Sequence, residues 1–546
     1  MVRFLGLAGI NMKMKQYHIN IATYGILFML YNLLAFNGVF FAEIHKLSGS
    51  VLWVVGTFLT VWALGSMACL LLFWRYTVKP LSYLFLLINS GVFYFVRTYH
   101  AYVDSQMLEN VLQTNRAEVM ELLNVRWLLY VLLLGVVPAL MVSRLKIEAV
   151  RWRKRLSIIG TLLCMVLAIL VPNRREVIPF VRNHKPAKYL LVPVNYISAI
   201  ISLSKHYYRQ SREFVTIGND SHYEPYWQNN KKNLIVFMVG ETARAANFSL
   251  GGYARQTNAP LEEFGDNLVY YQNARACGTS TAVSVPCMFA KDGREDYEDG
   301  SAAYVENVLD IMQKNGYAVT WVENNSDCKD VCNRVKLRLP CGEHPQERDC
   351  LDDVLLDELE ASIPQEPQNT LVVLHTIGSH GPKYFKRYDE KTAPYAPVCA
   401  SEKLNECTAQ ELLNVYDNTI YYTSHIAAKI IKKMQEYAAD YNVVLLYVSD
   451  HGESLGENGL YLHSAPYVMA PDEQTHVPVF LWADTQTYAA LGVDKKCLKE
   501  HTKDLISHDN VFHTLLGLGG IKAAEYNPLL DLTAECSLQS VLQKAK

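Results

Sequence analysis

The sequence predicts two differently solvated parts: five membrane-spanning helices over residues 1–175 and an α/β domain over 233–546, joined by a helical bridge over 176–232. Apolar stretches of bilayer length are confined to the first third, and short β-rich runs alternate with helical patterns after Asn233. Of the 12 cysteines, all but Cys69 and Cys164 lie beyond the apolar stretches. At 546 residues the chain is too long for one ordinary core. A formal net charge of -3, without a basic stripe, gives no footing for a nucleic-acid partner.

The five stretches are residues 20–41, 51–73, 80–97, 127–143 and 156–172, each close to the ~20 residues that cross a bilayer's hydrocarbon. The first runs into Phe40, Phe41 and Ala42 without a small-x-small cleavage pattern, so it reads as a retained helix rather than a signal peptide. Lys and Arg of short loops gather on the cytoplasmic side. Here Arg3, Lys13 and Lys15 precede the first span, Arg75 and Lys79 follow the second, and Arg144, Lys146, Arg151, Arg153, Lys154 and Arg155 follow the fourth. The loop after the third is acidic, with Asp104, Glu109, Glu118 and Glu121. The N-terminus is therefore expected inside, and everything beyond residue 175 outside.

Cysteine usage agrees with that topology. Cys69 and Cys164 fall in spans, where a free thiol acts as a small apolar group. The remaining cysteines, Cys277, Cys287, Cys328, Cys332, Cys341, Cys350, Cys399, Cys407, Cys497 and Cys536, form an even set, read in an oxidising compartment as disulfides. Spacing alone leaves their connectivity open, and Cys328-x-x-x-Cys332 with Cys341 and Cys350 could instead hold zinc.

Beyond the fifth span, Arg174, Arg175, Lys185 and Lys188 precede the apolar run Tyr189 to Leu203, which reads either as an interfacial helix or as a buried linker helix. Asn219 to Lys232 reads as a hinge. Strands are predicted at Leu234 to Val239, Ala318 to Val322, Leu371 to His375, Val443 to Val448 and Val477 to Trp482, in a largely parallel sheet covered by helices. Functional residues of such sheets collect beyond the carboxyl ends of the strands.

Two strands end in chemistry. Gly240-Glu241 follows the first, and Ser449-Asp450-His451-Gly452-Glu453 follows the fourth. Two carboxylates and an imidazole make an oxygen and nitrogen ligand set that suits zinc or manganese, although an Asp after a strand also serves as a helix cap. The segment Ala276-Cys-Gly-Thr-Ser-Thr-Ala-Val-Ser-Val-Pro-Cys287 reads as a loop entering a helix. Its hydroxyls either cap that helix or supply a nucleophile where helix amides favour a bound phosphate. A threonine hydroxyl needs a base or a metal to react at neutral pH. Glu453 either supports a metal-bound histidine or caps a turn, and His476 and His508 read as packed or capping histidines.

Gly240-Glu241-Thr-x-Arg244, Cys277-Gly-Thr-Ser-Thr281, Asn325-Ser-Asp-Cys-Lys329, His375-Thr-Ile-Gly-Ser-His380-Gly-Pro and Ser449-Asp-His-Gly-Glu-Ser-Leu-Gly-Glu-Asn-Gly-Leu-Tyr-Leu-His463 resemble the motifs of the lipid A phosphoethanolamine transferases, the family of chromosomal and mobile polymyxin-resistance enzymes. The resemblance spans essentially the whole chain. It implies five membrane helices, a bridging helical region and an alkaline-phosphatase-like or sulfatase-like outer domain. It implies zinc held by Glu241, Thr281, Asp450 and His451, with Thr281 also the nucleophile. His380 and His463 match residues that hold the phosphate or a second zinc, Asn325 and Lys329 match substrate contacts, and His375 lies beside them. It implies sequential disulfides, 277 to 287, 328 to 332, 341 to 350, 399 to 407 and 497 to 536.

The activity the resemblance implies is transfer of phosphoethanolamine from phosphatidylethanolamine to lipid A by double displacement at Thr281, by a monomer among membrane lipids of the bacterial inner membrane with its catalytic domain in the periplasm. Transfer to a core sugar or a glucan, transfer of phosphoglycerol, and hydrolysis by water are rivals on the same fold. A transporter with an outer sensor domain is disfavoured because the spans lack paired intramembrane charges.

Overall fold

A computed structural model describes residues 17–99, 103–105, 107–108, 125–224, 229–342, 350–401, 404–457 and 460–537. The expected orienting residues Arg3, Lys13, Lys15, Glu109, Glu118 and Glu121 lie outside these. Internal contacts divide the chain into two units, Met1–Tyr208 and Arg209–Lys546.

In the first unit, α1 (Ile21–Phe36) and α2 (Gly38–Ser48) meet at a bend of 70°. A single span over 20–41 was the expectation, and Asn37 is the reason for the difference. Its side chain donates to Val192 O at 2.9 Å and accepts from Val192 N at 2.8 Å, which ties the bend to a distant segment, and it donates to Asn32 O of α1 at 3.2 Å, a carbonyl near the break. Three helices, α3 (Val51–Leu72), α4 (Val78–Tyr99) and α5 (Val125–Ser143), each contain a stretch long and apolar enough to cross a membrane, and the bent pair makes up to a fourth span. The helix α6 (Trp152–Leu170) occupies the fifth expected position. Arg153, Lys154 and Arg155 fill its first turn, so its apolar stretch begins at Leu156. Tyr24, Phe28, Phe36, Phe73 and Phe93 pack inside, whereas Leu52, Leu71, Leu133 and Met141 are exposed, as side chains solvated by lipid would be. After α7 (Arg174–Asn183), the helix expected from Tyr189 begins only at Val194, in α8 (Val194–Gln210), because Lys185–Leu190 forms a 3-10 turn and Pro193 follows.

The second unit is built on an eight-stranded sheet. Its strands are β1 (Lys232–Gly240), β2 (Leu268–Arg275), β3 (Ala318–Glu323), β4 (Lys336–Arg338), β5 (Thr370–His375), β6 (Tyr441–Ser449), β7 (His476–Ala483) and β8 (Ile506–Ser507), in spatial order β8-β2-β7-β6-β1-β5-β3-β4. All neighbours are parallel except β7, antiparallel to both β2 and β6. Alternation in β1 shows why the run is continuously apolar. Ile235, Phe237 and Val239 enter one buried cluster, while Leu234, Val236 and Met238 enter the other, so helices cover both faces. Leu515 and Leu516 of one helix pack in the first cluster, and Val415, Ile420 and Ile431 of another in the second.

The stretch expected as a hinge contains the strand His222–Tyr223, paired with Ile521–Lys522. The change of contacts comes earlier in the chain, between Tyr208 and Arg209. Five disulfides join 277 to 287, 328 to 332, 341 to 350, 399 to 407 and 497 to 536, and Cys69 and Cys164 are free. The alternative zinc site at Cys328 and Cys332 is thereby set aside.

Candidate metal and nucleophile centre

Strand register builds the centre. Gly240 at the end of β1 pairs with Ser449 at the end of β6, so Glu241 emerges beside Asp450 and His451 at the carboxyl edge of the sheet. Gly240 must lack a side chain, because a Cβ there would collide with the Tyr447 hydroxyl. Thr242 has φ 50°, a left-handed conformation costly for a β-branched residue. Two bonds hold it there: Thr242 N donates to Asp450 Oδ1 at 3.1 Å, and the Tyr416 hydroxyl donates to Thr242 O at 2.7 Å.

Glu241, Asp450 and His451 are fully buried, and one ligand atom from each lies within 4.8 Å of the others. Asp450 Oδ1 also accepts from His451 N at 2.7 Å. Its Oδ2 is buried without a hydrogen-bond partner and lies 3.2 Å from His451 Nε2. His451 Nδ1 donates to Gly452 O at 2.9 Å. A carbonyl can only accept, so that bond fixes the tautomer and leaves the Nε2 lone pair facing the carboxylates. Burial, and after it the Asp450 charge, pushes the Glu241 carboxyl up to about 8. Burial pushes Asp450 up to about 6. Two carboxylates and a lone pair aimed at one another repel unless protons or a cation lie among them. The orphaned Asp450 Oδ2 and the oriented Nε2 fit a divalent cation with nitrogen and oxygen ligands.

Thr281 completes the group. It opens the helix α9 (Thr281–Phe289), and its Oγ1 lies 3.1 Å from Glu241 Oε2 and 3.4 Å from His451 Nε2. Ser280 is the N-cap but makes no side-chain capping bond, so the hydroxyls at this helix end are not spent on capping. The loop before the helix is fixed from behind. The Cys277–Cys287 disulfide spans it, Gly278 N donates to Ser284 Oγ at 2.9 Å, and Thr279 Oγ1 donates to Ala465 O at 2.6 Å.

Asn325, assigned to the substrate by its motif, is turned inward. It is buried, and its Nδ2 donates to Glu241 Oε2 at 2.6 Å and to Thr376 O at 3.1 Å. Its backbone N donates to Glu323 Oε1 at 2.6 Å, and the other oxygen of Glu323 pairs with His375 Nδ1 at 2.8 Å. Burial works against a charged His375, but Glu323 outweighs it and raises the histidine's pKa. The His463 ring lies 4.3 Å from that of His451 and 6.0 Å from that of His380, and Glu453 Oε2 holds His463 Nδ1 at 3.2 Å. Lys329 Nζ lies 3.0 Å from Ser326 Oγ and 3.8 Å from Asp327 Oδ2. His476 Nε2 donates to Gln272 O at 2.8 Å. His508 is a buried fastening: its Nδ1 accepts from Cys277 N at 3.1 Å and its Nε2 donates to Ser449 O at 2.9 Å.

Comparison with known proteins decides what such a centre belongs to. Residues 233–521 match the Sulfatase family, and residues 61–208 match the family described as Phosphoethanolamine transferase EptA/EptB. The Phosphoethanolamine transferase EptA of Escherichia coli (strain K12) is 40% identical over 471 residues, which cover 84% of this chain and 85% of that protein. The chain belongs to the phosphoethanolamine transferase family. The Phosphatidylethanolamine transferase Mcr-1 of Escherichia coli is 37% identical over 82% of this chain and 85% of its own length. Among solved structures, the integral membrane protein lipooligosaccharide phosphoethanolamine transferase A of Neisseria meningitidis is 35% identical, covers 95% of this chain and 99% of its own, and superposes with a TM-score of 0.64.

This phosphoethanolamine transferase is thus an inner-membrane enzyme with apolar N-terminal helices and a periplasmic, alkaline-phosphatase-like catalytic domain. Sequence reasoning passed over three residues that shape its centre. Glu323 holds both His375 and Asn325, Tyr416 holds Thr242, and Asp352 accepts from Ile377 N at 2.8 Å and Gly378 N at 3.0 Å. Gly378, at φ 45°, passes so close that a Cβ would lie 2.8 Å from Glu241 O. Only Glu323 carried a sequence signal, an acid ending a strand as Glu241 follows one.

Proposed function

We propose that this transferase moves phosphoethanolamine from phosphatidylethanolamine to a phosphate of lipid A through a covalent Thr281 intermediate. Zinc is held by Glu241, Thr281, Asp450 and His451, and masking lipid A charge in this way confers resistance to polymyxin and other cationic peptides. The observation that carries the reading is the Thr281 hydroxyl, 3.1 Å from Glu241 Oε2 and 3.4 Å from His451 Nε2 at the start of a helix. The names of the relatives support a phosphatidylethanolamine donor and a lipid-linked saccharide acceptor.

Zinc, when bound, lowers the pKa of a ligating hydroxyl as it does that of water and offsets phosphate charge. Thr281 Oγ1 forms a bond to phosphorus in line as the bond to the diacylglycerol oxygen breaks, and that oxygen leaves protonated. First-turn amides of α9 favour the phosphate there. A phosphate oxygen of lipid A then attacks the same phosphorus, the bond to Thr281 breaks, and Oγ1 regains a proton. His463, backed by Glu453, stands beside His451 and with His380 and Lys329 offsets charge as the two phosphates meet. A covalent intermediate lets diacylglycerol depart before the second lipid enters, so the site need not hold both lipids at once.

The test is mass spectrometry of lipid A from cells with and without the chain. A phosphoethanolamine increment on lipid A is expected. An increment only on core sugar or glucan would overturn the acceptor.

A further inference from the structure

The first unit contains a cavity of about 1040 Å³ that the centre at Thr281 does not use. Its volume sits at the upper limit of the roughly 300–1,000 Å³ typical of small-molecule sites. The apolar wall is made by α2, α3 and α6 with the helix that follows, through Phe40, Ile44, Trp53, Ile169 and Phe180. Aromatic rings stiffen one side: Trp53 lies 4.5 Å from Phe180, and Phe180 lies 4.7 Å from His184.

Charged residues line the same cavity only in the segment after α6, at Glu176 and Lys188, with Asn173, His184 and Ser50 at the same end; Thr57 and Thr60 of α3 also line it, and the Thr60 hydroxyl donates to Gly56 O at 2.8 Å. The basic first turn of α6, with Arg153, Lys154 and Arg155, marks the cytoplasmic end of that helix. The charged end of the cavity therefore lies toward the outer leaflet. Glu176 and Lys188 are both exposed and, among the described residues, neither is ion-paired.

From this arrangement we infer that the cavity is a binding site for one zwitterionic glycerophospholipid, with acyl chains along Phe40, Ile44, Trp53 and Ile169 and the headgroup at Glu176 and Lys188. The inference rests on the reading that the enzyme draws its donor from the bilayer, and makes the cavity a loading site for that donor. Charge chooses the occupant. A phosphoethanolamine headgroup carries an anion and a cation and meets one lysine and one carboxylate. A phosphatidylglycerol headgroup offers the lysine a partner but presents only hydroxyls and a negative charge to Glu176. Lipid A carries several acyl chains and phosphates without a cation, which fits neither the volume nor the carboxylate.

The test uses the full chain in detergent and in vesicles of phosphatidylethanolamine and phosphatidylglycerol. Native mass spectrometry should find one phosphatidylethanolamine retained per chain, in preference to phosphatidylglycerol from an equimolar mixture. Glu176→Gln, a surface change, should lower that preference by about tenfold, the scale of one charge-assisted contact. Gly56→Phe should displace the lipid, since the position faces Ile169 with room at its Cβ, whose nearest neighbour is 3.9 Å away. In both variants the phosphatidylethanolamine fraction giving half-maximal diacylglycerol release should rise about tenfold, with the rate at saturation kept within about twofold. Retention of no lipid by the unaltered chain, equal retention of the two lipids, or an unchanged half-maximal fraction in Glu176→Gln overturns the inference. Thr281→Ala separates it from the catalytic reading, because that variant should still retain phosphatidylethanolamine while releasing no diacylglycerol. If the unaltered chain retains the lipid but never releases diacylglycerol from it, the catalytic reading fails and the binding site stands.

Discussion

Asn325 Nδ2 donates to Glu241 Oε2 at 2.6 Å, so a residue that the motif assigns to substrate holds in place the carboxylate proposed to bind zinc. Outer partners of metal ligands typically change metal affinity by about 10–100-fold when lost. Asn325→Ala should therefore weaken zinc binding on that scale in a chelator competition, while the half-saturating donor concentration at saturating zinc stays near that of the unaltered enzyme. A raised donor requirement with unchanged zinc affinity would return Asn325 to the substrate.

Asp450→Ala should lose zinc and activity together. The substitution removes one ligand and deprives two buried amides, Thr242 N and His451 N, of their acceptor. An unsatisfied buried group costs about 1–3 kcal/mol, so denaturant titration should also show destabilisation, and Thr242, held at φ 50° by one of those bonds, should relax. Stripping zinc from the unaltered enzyme should abolish transfer, and adding zinc back should restore it. Full activity in the stripped enzyme would contradict the metal assignment.

Thr281 should carry phosphoethanolamine during turnover. Enzyme incubated with phosphatidylethanolamine and no acceptor, then digested, should show the adduct on the peptide from Ala276 to Cys287. Thr281→Ala loses nucleophile and ligand at once, so the fall should exceed the roughly 10²–10⁴-fold assigned to general acid-base help. Thr281→Ser keeps a hydroxyl and should retain part of the rate. Stoichiometric diacylglycerol release with an unmodified peptide rules out the covalent route.

His508 should make the catalytic domain acid-sensitive. Burial pushes its pKa down from 6.5 to about 4, so the unfolded chain takes up a proton in that interval that the folded chain refuses. The stability it contributes is fully present above about pH 6.5 and is withdrawn as pH falls toward about 4. The upper bound is about 3 kcal/mol at 1.36 kcal/mol per pKa unit. Gln at this position offers a donor and an acceptor but does not titrate. Urea midpoints should therefore fall more steeply between pH 6.5 and 4 in the unaltered enzyme than in His508→Gln, and parallel slopes would refute the claim.

A soluble catalytic fragment should begin near Arg209 rather than at Asn233. Ile217 is buried in the same apolar cluster as Ile311, Ile217 N donates to Glu306 Oε2 at 2.8 Å, and Gly218 N donates to Glu525 Oε1 at 2.9 Å. Losing one buried isoleucine costs about 1.5–3 kcal/mol, and each lost hydrogen bond about 1 kcal/mol. At about 2–4 °C per kcal/mol, the shorter fragment should melt roughly 10 °C lower by calorimetry. Equal melting temperatures would show that residues 209–232 add nothing.

The sequence by itself determined the two-part organisation, five of the sheet's strands and the candidate groups at their ends. Five core strands were legible because continuous apolar runs of strand length have few other uses, and Glu241, Asp450 and His451 stood out because acids and an imidazole directly followed such runs. The segment from Ala276 to Cys287 was legible as a loop entering a helix, and only the family resemblance singled out Thr281 within it. Local pattern fails where partners distant in sequence decide. Strand β2, with Tyr270, Tyr271 and Gln272 in one run, became legible only beside β7. The break at Asn37 depends on Val192, 155 residues away. The inward turn of Asn325 depends on Glu241, 84 residues away, and the fastening role of His508 on Cys277, 231 residues away. Periodicity reports which face of an element a residue occupies, but not which group stands opposite it. Only the tertiary structure chose those opposing groups, because a buried donor or acceptor must find its partner wherever the folded chain brings one.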